Sequence, residues 1–210
     1  MSEILNSLNW RYATKKYDAS KKVSAEDLNT LKEATKLSVS SMGLQPYKIL
    51  VIENPELREK LKGAAYGQTP ITDASQLFVF AIEKNVGDLQ IEKYMQNISD
   101  TRGIPVESLD GFSGMIKGFV SGLDENGRDN WAKKQAYLAL STLINTASFL
   151  KIDATPMEGF SADQFDEILG LDKLGLTTAV IAVVGYRHEE DASQHYKKVR
   201  KSNEELFINL

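Results

Sequence analysis

The sequence predicts an α+β fold, with residues 1–210 forming one domain. Three apolar, β-rich runs cover residues 47–53, 76–83 and 177–185, and they alternate with amphipathic segments that begin at helix-capping residues. No internal repeat, linker or low-complexity tract separates these segments. Helices and strands that alternate in this way indicate a single mixed domain, and the residues alone leave an α/β arrangement open.

The first segments of the chain predict two helices. Ser2 caps a short helix over residues 3–10, and Ser24 opens the second helix as a capping-box variant. Three leucines are expected on the buried face of this second helix: Leu28, Leu31 and Leu37.

A small-residue loop over 38–46 leads into the first strand at 47–53. Asn54, followed by a proline, supplies the N-cap of a third helix, on which Arg58 is interpreted as a surface residue. The continuous apolar run 76–83 predicts a strand that is covered on both faces.

Residues 88–121 predict a helical excursion that is interrupted at 103–105 by Gly-Ile-Pro. Residues 124–129 resemble a calcium loop only superficially, because their glycine stands at the fourth position rather than the sixth, and they are interpreted as a turn. The following helix, 130–151, is almost without polar residues in its second half. We expect it to be buried on all sides, in part against another subunit.

The C-terminal third contains two further elements. Residues 153–158 receive no strand assignment, and Ser161 caps a helix that ends near Gly170. Residues 177–185 form the most hydrophobic strand of the chain.

Composition excludes several classes of protein. The chain is 42% hydrophobic and 26% charged with a formal net charge of −4, which argues against a nucleic-acid-binding protein. The absence of cysteine excludes disulfides, thiolate metal sites and cysteine nucleophiles. No signal peptide is evident and no apolar run approaches the ~20 residues that span a bilayer, so we expect a cytoplasmic protein that does not enter the membrane. His188 and His195 lack companion ligands, so no metal site is expected.

The common catalytic signatures are also absent. No dinucleotide-binding glycine fingerprint follows a strand, and neither a P-loop nor a nucleophile elbow is present. A chain without a nucleophile, a metal set or an acid–base pair can still be an enzyme if a cofactor performs the chemistry.

Two short cationic clusters lie near opposite ends of the sequence. Arg11 and Lys15 form the first, and Lys198 and Arg200, within the basic stretch 197–201, form the second. Such clusters cost self-repulsion and are seldom needed for folding, so together they suggest a bound anion such as a phosphate. Either cluster alone is better interpreted as a solvated surface patch.

Four motifs occur in order along the chain: Arg11-x-x-x-Lys15-x-Tyr17-Asp18, Ser38-Val-Ser-Ser41-x-x-x-Gln45-Pro46-Tyr47, Pro156-Met-Glu-Gly159-Phe160 and Lys198-x-Arg200. In these motifs the chain resembles the FMN-dependent nitroreductase family, most closely its oxygen-insensitive NAD(P)H nitroreductase and dihydropteridine reductase branch. The similarity covers essentially all 210 residues. It implies a three-layer fold, in which helices flank a central, mostly antiparallel sheet, and an intertwined homodimer with FMN at the subunit interface.

The resemblance assigns two groups of residues to FMN within one subunit. The first is expected at the phosphate and the N1–O2 edge of the ring, and comprises Arg11, Tyr12, Ala13, Lys15, Lys198 and Arg200. The second packs against one ring face, with the backbone N–H of Glu158 or Gly159 near N5, and comprises Pro156, Met157, Glu158 and Gly159. Gly159 is expected to permit a close approach of the backbone, although an ordinary turn before the Ser161 cap remains an alternative.

Further contacts are implied from other parts of the chain. The family segment that reaches the flavin from the partner subunit corresponds here to Ser40, Ser41 and Gln45. Many family members carry Asn-Gln where this chain has Gly67-Gln68, so Gln68 is the candidate to replace the missing amide at Gly67. Phe119 is the candidate aromatic over the open ring face, with Phe112 as second choice. Each phenylalanine is also compatible with a place in a helix core.

The resemblance finally implies an activity. NADH or NADPH would reduce the flavin and leave, and a small electron-poor acceptor such as a nitroaromatic or a quinone would then take two electrons in a ping-pong cycle. No side chain is expected to act as a catalytic acid, because the flavin carries the chemistry. Two alternatives stay open: a dihydropteridine or enone reductase of the same fold, and a flavin-binding module without turnover.

Overall fold

The centre of the computed structural model, which describes residues 2–210, is a four-stranded antiparallel sheet. Its strands are β1 Tyr47–Ile52, β2 Gln76–Glu83, β3 Asp153–Met157 and β4 Leu176–Gly185. They lie in the order β1-β2-β4-β3, so that β1 and β3 form the edges. The two longest apolar runs of the sequence therefore form the central strands, β2 and β4. Each of them has a neighbouring strand on both sides, and protein covers both of its faces.

Helices surround the sheet. In the described part of the chain they are α1 Glu3–Trp10, α2 Ala25–Lys36, α3 Pro55–Ala64, α4 Pro70–Asp73, α5 Asp88–Arg102, α6 Asp110–Ser121, α7 Glu125–Phe149, α8 Ala162–Leu169 and α9 Asn203–Leu206. Within residues 2–210, none of these helices has the length and apolar character that a membrane crossing requires. The predicted excursion is formed by α5 and α6, and the break between them follows Gly103, whose φ of 64° ends α5.

Both faces of the sheet are covered, which confirms the predicted α+β class and its three layers. Successive residues of a strand point to opposite faces. Phe78 and Phe80 of β2 accordingly pack in one cluster with Leu143 of α7, and Leu77 and Val79 pack in a second cluster with side chains of α3 and α8. The sheet thus holds two hydrophobic cores apart.

The four predicted helix starts are confirmed by side-chain caps. Each capping oxygen accepts a hydrogen bond from a backbone N–H in the first turn of its helix, which satisfies one of the unpaired donors there. The pairs are Ser2 with Leu5 at 3.4 Å, Ser24 with Asp27 at 3.0 Å, Asn54 with Leu57 at 2.8 Å and Ser161 with Gln164 at 3.4 Å.

The edge strand β3 was not predicted, because residues 153–158 received no strand assignment from the sequence. Asp153–Met157 pairs with β4 over five residues, from Asp153 opposite Gly185 to Met157 opposite Ile181. Pro156 is tolerated because β3 is an edge strand, where a missing N–H leaves no ladder bond unmade on the outer side. A five-residue strand containing proline gives no recognisable period.

The long helix α7 departs from its prediction at its start. It begins at Glu125 rather than near residue 130, because the Asp124 carboxylate caps it by accepting from the N–H of Gly127 at 2.7 Å. The segment interpreted as a turn is therefore the start of the helix. Within one chain Leu138 and Phe149 of α7 remain 42% and 45% exposed, so the burial of this helix against another subunit stays a prediction.

Two single-residue expectations were wrong. Leu37 lies beyond the last turn of α2 and is 78% exposed rather than part of its buried face. Arg58 is 4% exposed, and its guanidinium donates to the carbonyls of Ile71, Ala74 and Ser75 at 2.7, 2.6 and 3.0 Å. It therefore links α3 to the turn before β2 and is not a surface residue.

Candidate functional site

Three of the four predicted cations come together. The Lys198 ammonium donates to the backbone carbonyl of Arg11, although 187 positions separate the two residues. Burial, and next the charge of Arg200, lower the pKa of Arg11. Burial also lowers the pKa of Lys198, followed by the charges of Arg11 and Arg200. The three side chains are thus close enough to repel one another.

No carboxylate compensates this cation cluster of Arg11, Lys198 and Arg200. Within residues 2–210, none of the three forms an ion pair with an acidic side chain. The Arg11 Nε atom is buried without a hydrogen-bond partner. Guanidinium and ammonium groups that lack a counter-charge are suited to bind an anion with several oxygens, such as a phosphate.

The fourth cation, Lys15, makes a different contact. Its backbone N–H donates to the Asp191 carboxylate at 2.8 Å, whereas its side chain is exposed. Tyr12 donates its hydroxyl to the same carboxylate at 3.1 Å, and burial, as the largest cause, raises the pKa of Tyr12 to about 12. Ala13 lies half-buried between them. The segment 11–15 is therefore attached through its backbone as well as through side chains.

A second anchor for this segment was not foreseen from the sequence. The Arg187 guanidinium pairs with the buried Asp153 carboxylate at 2.6 Å and lies 4.3 Å from the ring of Trp10 and 4.5 Å from that of Tyr12. Thr14 donates its hydroxyl to Asp153 at 3.1 Å. The N-terminal segment is thereby fixed to the ends of β3 and β4.

Beside the cation cluster lies a cavity of about 580 Å³. Its walls come from β3 and the residue after it, from β4 and from one face of α7, together with Arg11. The lining residues include Pro156, Met157, Glu158, Tyr137, Ser141 and Asn145. Its volume is within the range of small-molecule sites, and apolar walls with few polar groups are typical of them.

Three residues of the predicted ring-binding segment, Pro156, Met157 and Glu158, form the β3 side of this cavity, and Gly159 follows just outside its lining. Tyr137 donates its hydroxyl to the Glu158 carboxylate; burial first, and this bond next, raise the pKa of Tyr137 to about 12. Gly159 is exposed, and a Cβ there would meet only the Gln68 Nε2 atom, at an ordinary 3.6 Å. The folded chain itself therefore does not require glycine at 159, and the backbone is open to approach.

Gln68 lies next to this segment. Its side-chain Nε2 donates to the carbonyl of Gly159 at 2.6 Å and to that of Ala65 at 3.0 Å. Gly67, with a φ of +74°, makes the turn after α3 that brings Gln68 into place. An amide is therefore present beside residues 156–159, although it comes from position 68.

Ser40, Ser41 and Gln45 do not join the other candidates within one chain. The Ser41 N–H donates to the Gln135 side chain of α7 at 2.7 Å, and the Gln45 N–H donates to the Ser40 hydroxyl at 3.1 Å. The Gln45 amide in turn donates to the Lys36 carbonyl at 2.9 Å. These contacts hold the loop 38–46 in shape.

The loop and the cavity lie on different faces of α7. Gln135 and Thr142, seven positions apart, share the face that contacts Ser41 and Ser38. The cavity residues Tyr137, Ser141 and Asn145 follow one another at four-residue spacing on another face. In a single chain, the serines therefore cannot line the cavity.

Phe119 lies on α6 and is 43% exposed, with its ring edge-on to Trp131 at 5.6 Å between centroids. It is not among the residues that line the cavity. Phe112 is half-buried against Tyr94 at 6.4 Å, in the core of the excursion. The exposed ring of Phe119 makes it the better candidate for a contact outside its own helix.

Comparison with known proteins connects these features to one family. The Nitroreductase family model matches residues 8–186. A Staphylococcus haemolyticus protein, which carries the provisional name NAD(P)H nitroreductase, is 38% identical to this chain over 97% of it and 95% of its own length.

Solved structures share the fold across the whole chain. One from Bacillus subtilis, provisionally named a nitroreductase, has a TM-score of 0.88 at 22% identity and 99% coverage of both chains. Another from Exiguobacterium sibiricum, solved in complex with FMN, has a TM-score of 0.86 at 20% identity, covering 100% of this chain and 98% of its own.

Proposed function

The chain belongs to the nitroreductase family, and on that premise we propose that it is an NAD(P)H-dependent oxidoreductase that uses FMN. Its acceptors are small electron-poor molecules such as nitroaromatics and quinones. Bound FMN would supply the chemistry, taking a hydride from NADH or NADPH and passing two electrons to the acceptor. The observation that carries the proposal is the uncompensated cation cluster beside the cavity.

The residues present fit such a cofactor. Arg11, Lys198 and Arg200 offer charge-assisted donors for a phosphate, and each such bond is worth about 1.5–3 kcal/mol. Pro156 and Met157 offer apolar side chains at the cavity wall for a flat ring, and the backbone of the exposed Glu158 and Gly159 follows them. Gln68 supplies an amide beside that segment. Lys15 remains a proposed phosphate contact that would require its exposed side chain to turn inward.

We further propose that the working unit is a homodimer. The loop that carries Ser40 and Ser41 contacts the face of α7 away from the cavity, through Ser38 and Ser41, so the proposed contact of Ser40 and Ser41 with the cofactor requires a second chain. Apolar side chains that could cover one another are exposed on α1, on α7 and in the segment after β4. They include Ile4, Leu5, Leu138, Phe149, Phe207 and Ile208. Contiguous exposed apolar surface commonly marks a protein–protein interface.

The test begins with the colour of the purified protein. We expect a yellow protein that releases FMN, and not FAD, on heating, because the cluster suits one phosphate and the sequence carries no dinucleotide fingerprint. NADPH added without oxygen should bleach the flavin, and a quinone should restore its absorption. A colourless protein that does not bind FMN on titration would contradict the proposal. Bleaching without recovery by any quinone or nitroaromatic would indicate a flavin-binding module.

A further inference from the structure

Asp191 connects the two segments that carry the cations. It is 3% exposed and lies just beyond β4. Its Oδ2 atom accepts from the N–H of Lys15 at 2.8 Å, the N–H of Lys16 at 3.2 Å and the hydroxyl of Tyr12 at 3.1 Å. Its Oδ1 atom accepts from the N–H of Ser193 at 3.0 Å. One carboxylate therefore binds the N-terminal segment 12–16 and the start of the C-terminal segment.

These two segments need such a link. Residues 11–16 and 196–201 belong to no helix or strand. A single β-bridge, between Tyr17 and Arg187, follows the first of these two segments. Each carries part of the cation cluster, so charge repulsion tends to separate them. Backbone segments without regular structure keep a fixed geometry only where specific hydrogen bonds or packing hold them.

The contact with Asp191 is distinct from the other anchor. The pair of Arg187 with Asp153 holds the rings of Trp10 and Tyr12 against the end of the sheet. Asp191 itself belongs to the C-terminal segment, where it caps the short turn 192–195 by accepting from the Ser193 N–H, and it attaches the N-terminal segment there, nine residues before Arg200. It is thus placed to fix the distance between Arg11 on one segment and Lys198 and Arg200 on the other.

We propose that Asp191 is a positioning residue for phosphate recognition, which acts on the cofactor only through the cation cluster that it holds together. The inference rests on the proposed function, because it specifies which part of FMN the segment recognises. Hydrogen bonds from three backbone N–H groups and a hydroxyl keep the carboxylate ionised despite its burial, and its pKa is lowered. Its two oxygens accept from these four donors, and among residues 2–210 it forms no ion pair with Arg11, Lys198 or Arg200.

The test compares FMN with riboflavin, which differ only in the phosphate. Dissociation constants for both are measured on the cofactor-free protein by flavin fluorescence, for the wild type and Asp191→Asn. Asparagine keeps the size but replaces one accepting oxygen by an amide NH2. We expect the FMN constant to rise about tenfold while the riboflavin constant changes by less than about twofold, since a tenfold change is the loss of one good contact.

Asp166 offers a matched control. It is 6% exposed and accepts from the Thr178 N–H at 2.8 Å, the Thr178 hydroxyl at 2.7 Å and the Thr177 hydroxyl at 2.6 Å, between α8 and β4. Asp166→Asn removes a comparable buried acceptor away from the cation cluster. We expect it to lower the melting temperature without changing the ratio of the two dissociation constants.

The outcomes separate the two proposals. Failure of the wild type to bind either flavin would reject the proposed function itself. Binding by the wild type, with equal losses for FMN and riboflavin in Asp191→Asn, would show that Asp191 supports only general stability and would overturn the inference. If Asp191→Asn does not fold, Asp191→Glu keeps the charge but shifts the accepting oxygens by one methylene. A several-fold loss for FMN alone is then expected, and an unchanged ratio would overturn the inference.

Discussion

At Arg11, burial and a neighbouring guanidinium act on one side chain, and both make its charge more difficult to hold without an anion. We therefore expect Arg11→Ala or Arg200→Ala to weaken FMN binding about tenfold or more, since each removes a charge-assisted contact worth roughly 1.4 kcal/mol or more. Titration of the cofactor-free protein with FMN measures this.

The control for these variants is Arg102→Ala. Arg102 is exposed in the last turn of α5 and should leave FMN affinity unchanged. Arg58 is unsuitable because its guanidinium is buried on three carbonyls. Equal losses in the Arg102 and Arg200 variants would mean that the cations form only a solvated surface.

Phe119 should determine which acceptors are used. Its half-exposed ring on α6 is available to a substrate or a partner chain, so Phe119→Ala should change the ratio of rates between a nitroaromatic and a quinone while FMN content stays near stoichiometric. Met115→Ala, one turn away and 54% exposed, is the matched control. A fall of all activities together with a loss of about 3–5 kcal/mol in stability would instead identify Phe119 as a core residue.

Some of the candidate residues could be predicted from the sequence, and others could not. The cations could be predicted because charge clusters in a net-acidic chain require an explanation, and the structure brings Arg11, Lys198 and Arg200 together. Asp191 and Arg187 could not be predicted, because their partners lie more than 30 positions away and no local pattern marks a buried acceptor. The only signal in the sequence that points to Asp191 is its place among acidic residues shortly after the last strand.

Among the elements, α3 depends on one buried guanidinium. Arg58→Met should lower the free energy of unfolding by about 3 kcal/mol, because it leaves the buried carbonyls of Ile71, Ala74 and Ser75 without their donor. Urea denaturation of Arg58→Met beside Arg102→Met measures this, and the second variant should differ from the wild type by less than about 0.5 kcal/mol. Similar stabilities for the two variants would show that water replaces the guanidinium.

Elements were predictable where a single physical signal dominates. The central strands β2 and β4 are long apolar runs, and four helices begin at residues that can cap them. The strand β3 is short and contains Pro156, so its identity depends on pairing with β4. The start of α7 was missed because Asp124 stands in a polar stretch that resembles a turn until its cap is known.

At the scale of the whole molecule, a single chain leaves apolar side chains exposed on α1, on α7 and in the C-terminal segment. We expect a dimer in sedimentation equilibrium, and Leu138→Asp, on the exposed face of α7, should shift it toward monomer and reduce FMN content together. Met115→Asp, which also places a charge on an exposed apolar position but on α6, is the control and should leave the dimer and its FMN content unchanged. A folded wild-type monomer that retains FMN would contradict the proposed shared site and the proposed roles of Ser40 and Ser41.

The cation cluster also bears on the stability of the fold. A lowered pKa at Arg11 and Lys198 means that the folded chain holds these protons less tightly than the unfolded chain does. At neutral pH the charges of Arg11 and Lys198 therefore oppose folding, and this opposition fades only as the pH rises into the alkaline range where Lys198 loses its proton. The proposed phosphate site would therefore cost the chain some stability while it is empty, and a bound phosphate would stabilise the folded chain.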